Sequence, residues 1–253
     1  MKLIRAILNT GIMENGLVSI PTEGTAQGSP LSPLLSNIVL DELDKELEKR
    51  GHKYLRYADD CNIYVRSKRA GERVMSSISN YISKRLKLKI NLFKSAIAPP
   101  QERKFLGFSF TGGKNPGRRK IAPQSIERFK NKVRQLTNRN HSISFEDLVK
   151  RLSIYLVGWI GYFKFCETPS VLRDLDSWIR RRLRAVLWKQ WKVYKKRKSE
   201  LIKRGVREDL AQTTAWSSKG CWSLCNTPGM RIALPNSYFD SLKLPRLYSG
   251  RNI

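Results

Sequence analysis

Between Ile126 and Val186 the apolar residues fall into three consecutive stripes with the period of an α-helix, and no other feature limits the fold so tightly. Ile126, Phe129, Val133 and Leu136 share one face; Leu148, Leu152, Tyr155, Leu156, Trp159 and Phe163 share the next; Leu172, Leu175, Ile179, Leu183 and Val186 make the third. Spacings of three and four place such residues on one side of a helix. Each helix must bury its stripe, and short connections make the solution a bundle. Ser144-x-x-Asp147 has the form of a capping box, and Thr168-Pro169 that of an N-cap followed by an N1 proline, so the helix starts are marked as well. After Arg204 the periodicity weakens to a few short helices and loops.

The residues before this bundle mix periods. Leu3, Ile4, Ile7 and Leu8 repeat at helical spacing, and Leu17, Val18 and Ile20 read as a short strand stopped by Pro21. A loop follows from Pro21 to Ser29. Pro30 then opens a helix with an apolar face of Leu31, Leu34, Leu35, Ile38, Leu43 and Leu47. Tyr54 to Ala58 and Cys61 to Val65 are β-prone runs separated only by Asp59-Asp60, the layout of a hairpin. A helix from about Gly71 to Leu88 and strands around Leu88–Asn91 and Lys104–Phe110 complete the region. The fold class is therefore α+β, mixed helices and an antiparallel hairpin followed by an α-helical bundle. Turn formers from Thr111 to Arg119 predict a linker, dividing the chain into domains 1–112 and 113–253.

Charge adds a partner class. The chain carries 49 Lys and Arg against 21 Asp and Glu, a net charge of +28. Residues 1–112 hold 18 basic and 11 acidic side chains and residues 113–253 hold 31 and 10, so the second domain is the stronger polyanion binder. With no long apolar span or lipidation signal to favour a membrane, nucleic acid is the expected partner. Four cysteines and two histidines suit neither a disulfide framework nor a structural zinc site, Cys221-x3-Cys225 lacking a second pair. The N-terminus has no signal-peptide pattern, so the expected location is a reducing intracellular compartment, the cytoplasm of a bacterium or an organellar matrix.

The chemistry-bearing residues are few. Asp59 and Asp60, side by side at a hairpin tip, are suited to a hard divalent cation such as Mg²⁺, which takes oxygen ligands and retains waters; as a bare dipeptide they read as solvated turn formers, and it is their context that points to a metal. From Arg180 to Arg204, Arg180, Arg181, Arg182, Arg184, Lys189, Lys192, Lys195, Lys196, Arg197 and Lys198 are interleaved with Trp188, Trp191 and Tyr194. The cations point to RNA phosphates and the tryptophans to packing.

Several blocks resemble one family in the order that family uses. Tyr57-Ala58-Asp59-Asp60 resembles the YxDD motif of reverse transcriptases, and Gly24-Thr25-Ala26-Gln27-Gly28-Ser29-Pro30 resembles their PQG block, with Gln27 and Gly28 matching and Ala26 standing where proline is common. Leu92-Phe93-Lys94-Ser95 resembles the block holding a lysine near the triphosphate, although Lys94 reads equally as a surface lysine. Phe105-Leu106-Gly107-Phe108 resembles the strands under the primer terminus and, as residues alone, is core strand. Tyr155 to Phe163 followed by Leu175 to Leu183 is similar to the maturase-specific domain X of group II intron proteins. The resemblance runs from about Leu3 to Leu244.

It implies an RNA-directed DNA polymerase/maturase: a partial palm, then an RNA-binding thumb acting on intron RNA and a DNA primer or target. It further implies two-metal phosphoryl transfer with Mg²⁺ held by Asp59 and Asp60, Lys94 as charge stabiliser or general acid, and nucleotide or template contacts at Gln27, Gly28 and Tyr57. The family also uses an aspartate on an earlier palm strand, yet no Asp precedes Asp41, and Asp41 and Asp44 fall on a helix. The expectation is thus a fragment, a split gene or a decayed copy, inactive alone and completed by an N-terminal half in trans. The other reading is a noncatalytic RNA-binding splicing cofactor.

Overall fold

A computed structural model describes residues 2–8, 12–14, 17–19, 31–113, 115–138 and 143–248. The chain divides into two compact units, Met1–Pro99 and Pro100–Ile253. Sheet structure among the described residues consists of three separate two-stranded antiparallel hairpins.

The first unit opens with helix α1 (Lys2–Leu8) and a short hairpin of β1 (Ile12–Glu14) and β2 (Leu17–Ser19), of which only β2 was expected. Helix α2 (Ser32–Lys49) begins after Leu31 with Pro33 in its first turn, where a missing N–H costs nothing. Ser29 and Pro30, the expected cap, lie outside the described residues. Strands β3 (Lys53–Tyr57) and β4 (Asp60–Tyr64) form the second hairpin, and α3 (Lys68–Lys84) follows, capped by Ser67, whose hydroxyl accepts the Ala70 N–H at 3.2 Å. Leu43 and Leu47 of α2 and Ile78 of α3 are buried with Tyr54, Cys61, Ile63 and Tyr81 around them.

No strand forms at residues 88–91. Lys87 enters the left-handed region (φ 56°), and Leu88 donates its N–H back to the Ile82 carbonyl at 3.2 Å, closing α3 in the manner of a Schellman motif. The apolar run that looked like a strand is used to end a helix. Gly71 on α3 is fixed by packing: a Cβ there would lie 2.8 Å from Ile97 Cγ2, so the segment after α3 crosses the helix where only glycine fits.

The second unit starts with β5 (Phe108–Phe110) and β6 (Arg119–Ile121), and the turn-rich stretch between them closes this hairpin, the Thr111 N–H donating to the Arg118 carbonyl at 2.9 Å and the Arg118 N–H to Thr111 Oγ1 at 3.1 Å. Helices α4 (Pro123–Leu136), α5 (Phe145–Phe163) and α6 (Pro169–Gln190) are the three read from the periodicity, and their stripes meet in one core. Ser144 caps α5 through Asp147, accepting its N–H at 3.1 Å while donating to its carboxylate at 2.8 Å. At α6 Pro169 occupies the first turn, but the Thr168 side chain caps nothing and sits 3.1 Å from Cys166 Sγ. Beyond α6 come α7 (Tyr194–Lys203), α8 (Glu208–Trp216) and the short α9 (Cys221–Leu224), α10 (Pro228–Ala233) and α11 (Asn236–Ser241). Their apolar residues Leu224, Met230, Leu234 and Phe239 join the bundle core. Among the described residues no helix is long and apolar enough to cross a membrane.

Candidate active site and nucleic-acid interface

Cross-strand register determines the geometry around the paired acids. Tyr57 pairs with Asp60, leaving Ala58 and Asp59 as a two-residue turn. Such turns require a positive φ at the first central position, and Ala58 supplies it at 52° with the smallest side chain that has a Cβ. Asp59 therefore occupies the turn itself and Asp60 the first position of β4. Strand alternation then sorts the faces. Tyr54, Arg56, Cys61 and Ile63 face the helices, whereas Leu55, Tyr57, Asp60 and Asn62 face outward; Leu55 and Tyr57 are 52% and 63% exposed. Both carboxylates are exposed.

On the inner face Arg56 ties the turn to α2. Its Nε donates to Asp44 Oδ1 and Oδ2 at 2.8 and 3.0 Å, and its Nη2 forms a further short bond to Oδ2. Nη1 donates at 3.0 Å to both Asn37 Oδ1 and the Ala58 carbonyl. One guanidinium thus joins the helix, the strand and the turn residue immediately before Asp59. These bonds hold the Arg56 pKa above its ordinary value. Cys61, opposite Arg56, has its thiol pushed up to about 11, first by burial and then by the Asp44 charge. Arg56, Asp44 and Asn37 were not singled out from sequence. The available signal was an arginine on the same face as Tyr54, an inward charge that needs a partner.

Asp59, Asp60 and Tyr57 are brought together by the hairpin. Lys94 sits in an exposed turn built on Asn91, its N–H donating to the Asn91 carbonyl and Oδ1, each at 3.2 Å. Gln27 and Gly28 lie outside the described residues. Two adjacent oxygen-donor side chains open to water suit the chemistry of a hard cation that keeps part of its hydration shell. Among the described residues, no group of three or more His, Cys, Asp or Glu gathers at one place, so Asp59 and Asp60 are not joined there by a third such donor from those residues.

The basic tract separates into two populations. Arg180 is 2% exposed and lies between two acids, paired with Asp176 and donating to Asp240 at 3.1 Å. Arg181 donates to the Trp222 carbonyl at 3.1 and 2.7 Å, with its guanidinium 4.1 Å from the Trp222 ring centroid. Arg182 reaches Thr137 Oγ1 at 2.8 Å, and Arg184 reaches the Leu234 carbonyl at 2.9 Å and Asn236 at 3.2 Å. Burial, with Arg231 and Arg180 nearby, draws the Arg184 pKa below its ordinary value. Asp240 is held below the usual carboxylate range by hydrogen bonds from Arg246 and then Arg180. These four arginines are occupied with protein groups because α6 runs through the middle of the unit and a buried cation must be paired.

Lys189, Lys192, Lys195 and Lys196 are exposed. Arg197 is half-buried with its guanidinium 4.7 Å from the Trp188 ring, and Lys198 donates to Glu208 at 2.7 Å. Trp188 and Trp191 are 2% and 3% exposed, packed as their composition suggested.

A reverse transcriptase (RNA-dependent DNA polymerase) family model matches residues 2–110, and a group II intron maturase-specific domain model matches residues 126–205. Among curated proteins the chain is similar to Protein YkfC of Escherichia coli (strain K12), at 27% identity, over 44% of this chain and 37% of that protein. The matched part thus spans well under half of that relative's length. With the polymerase model followed by the maturase model along its length, the chain belongs to the group II intron reverse transcriptase/maturase family.

Proposed function

We propose that this chain carries the Asp59–Asp60 part of a polymerase site in its first unit, Met1–Pro99, and an intron-RNA grip in its second, Pro100–Ile253. The observation that carries the reading is the anchored hairpin turn: two exposed carboxylates at a strand end, Asp59 in the turn and Asp60 on the outward face, with Arg56 bonded on the opposite face. Arg56 is spent on Asp44 and so leaves the charge of Asp60 available.

Members of this family use Mg²⁺. Bound at Asp59 and Asp60, it would supply the Lewis acidity that phosphoryl transfer needs. The chain's own contribution is to hold two hard oxygen donors in fixed register, with Tyr57 beside them on the same face and Lys94 as a candidate cation for the triphosphate. Gln27 and Gly28 complete the nucleotide and template contacts. Exposed Lys189, Lys192, Lys195 and Lys196, with Arg197 and Lys198, take RNA phosphates. The remaining aspartate and the fingers come from an N-terminal reverse transcriptase half acting in trans. Leu34, Ile38 and Val39 of α2, exposed by 56%, 59% and 41%, together with Leu55, offer apolar surface for it to cover. The protein works where its intron is transcribed, in a bacterial cytoplasm or an organellar matrix, on intron RNA and a DNA primer or target.

The test is co-expression with fingers and the first palm strand of a relative. Mg²⁺-dependent cDNA synthesis that is abolished by Asp60→Asn is the expected result. If a soluble pair with all aspartates intact makes no cDNA while the chain still binds intron RNA, the splicing-cofactor reading replaces this one.

A further inference from the structure

We propose that Trp216 and Tyr194 form a stacking platform for an unpaired RNA base, with the lysines of α7 holding the phosphates on either side. This rests on the RNA-binding reading above and gives it one place on the surface, where Tyr194 and α7, inside the segment matched by the maturase-specific model, meet Trp216, which lies beyond it.

Trp216 closes α8 and is 76% exposed. Tryptophan is among the side chains most strongly drawn to cover, so an indole left largely in water at the end of a well-packed helix calls for a partner. It is not loosely placed. Its ring and that of Tyr194 meet in a T-shaped contact, centroids 5.2 Å apart and planes at 84°, which positions the indole while most of it stays open to water. Tyr194 opens α7 and Trp216 ends α8, and the two helices pack against each other across a four-residue connection at 204–207, which brings these ends together.

The surroundings are basic. One face of α7 presents Tyr194, Lys195, Lys198, Ile202 and Lys203 around an open recess, and Lys192 and Lys196 are exposed nearby in the sequence. Ile202, 42% exposed, adds an aliphatic floor. An aromatic face among lysines matches a single-stranded nucleotide in both halves of its chemistry: the base stacks, and the phosphates are neutralised. Bases inside a duplex have both faces covered by their neighbours, so a paired helix would gain only the phosphate part.

The experiment uses the full chain and two RNA probes, a short unstructured oligouridylate and a blunt duplex of equal length. Trp216→Ala should weaken the single strand on the order of ten-fold and leave the duplex nearly unchanged, whereas Trp216→Phe should retain most of the affinity. A 5-iodouridine version of the single strand should crosslink at Trp216 or Tyr194. Equal affinity of Trp216→Ala and the parent for the single strand, equal losses on both probes, or crosslinks confined to other residues would overturn the platform while leaving RNA binding intact. If the parent chain binds neither probe in a salt-dependent way, the RNA-binding reading itself falls and takes the platform with it. Trp216 is exposed, so both variants should keep the parent's thermal unfolding profile, and that profile is the control.

Discussion

Replacing Arg180 with methionine separates a buried structural arginine from an RNA contact. Truncating one member of a fully buried ion pair costs about 3–5 kcal/mol, because the partner charge remains without compensation. Here the side chains of Asp176 and Asp240 retain 20% and 30% exposure, and each keeps another donor: Asp240 has Arg246, and Asp176 accepts the Leu247 N–H at 3.2 Å. Water and these donors absorb part of the loss, which brings the expected destabilisation to about 2–3 kcal/mol. With a urea dependence of about 2 kcal/mol per molar, the midpoint should fall by about 1–1.5 M. All six tryptophans lie between residues 159 and 222, so tryptophan emission follows the second unit alone. Arg246→Ala, at an exposed position, should shift the midpoint far less. An unchanged midpoint for Arg180→Met would refute the burial argument, and an unchanged midpoint with lost RNA affinity would put Arg180 back on the RNA surface.

Arg56→Lys keeps the charge but loses the planar fork, so amide exchange at Ala58–Cys61 should accelerate at least several-fold; unaltered protection would mean that Asp44 and Asn37 do not hold the turn. Alkylation of Cys61 follows its thiolate, and with the pKa pushed up to about 11 the rate should stay low at pH 8 and rise toward pH 11. The sign follows because burial disfavours the charged form; a rate that levels off near pH 9 would show the thiol to be solvated. Changing Lys192, Lys195 and Lys196 together to Gln should reduce the slope of log K against log salt by about 2 for single-stranded RNA, and an unaltered slope would remove them from the interface.

The bundle was legible because its stripes are long and regular: every residue from Ile126 to Val186 named for a helical face joins the core or packs on it. The hairpin was legible from two β-prone runs around a two-residue gap, although the turn itself is Ala58–Asp59, one position before the expected Asp59–Asp60, and Asp60 opens β4. What failed was the use of local signals whose meaning depends on tertiary context. Leu88–Asn91 has strand-like residues, yet the Leu88 N–H is used to close α3. Thr111–Arg119 is rich in turn formers, which serve a hairpin loop as readily as a linker, and here they connect β5 to β6. Arginine carries the same charge in a count whether it faces RNA or an aspartate 60 positions away, so composition could not divide α6 from α7. Trp216 was missed because exposure is not written in a residue's type.

The reach of the α6 arginines sets an order of events during synthesis. Their acceptors at Trp222, Leu234 and Asp240 lie 41, 50 and 60 positions further along the chain. At about 5–20 residues per second, the interval between translation of Arg180 and of Asp240 is about 3–12 s. Through that interval Arg181 and Arg184 have none of these acceptors and Arg180 has only Asp176, one helical turn before it, and the nearest polyanion is the ribosome itself. A nascent chain paused before residue 222 should therefore cling to ribosomal RNA in a salt-sensitive way through three arginines that the finished protein conceals.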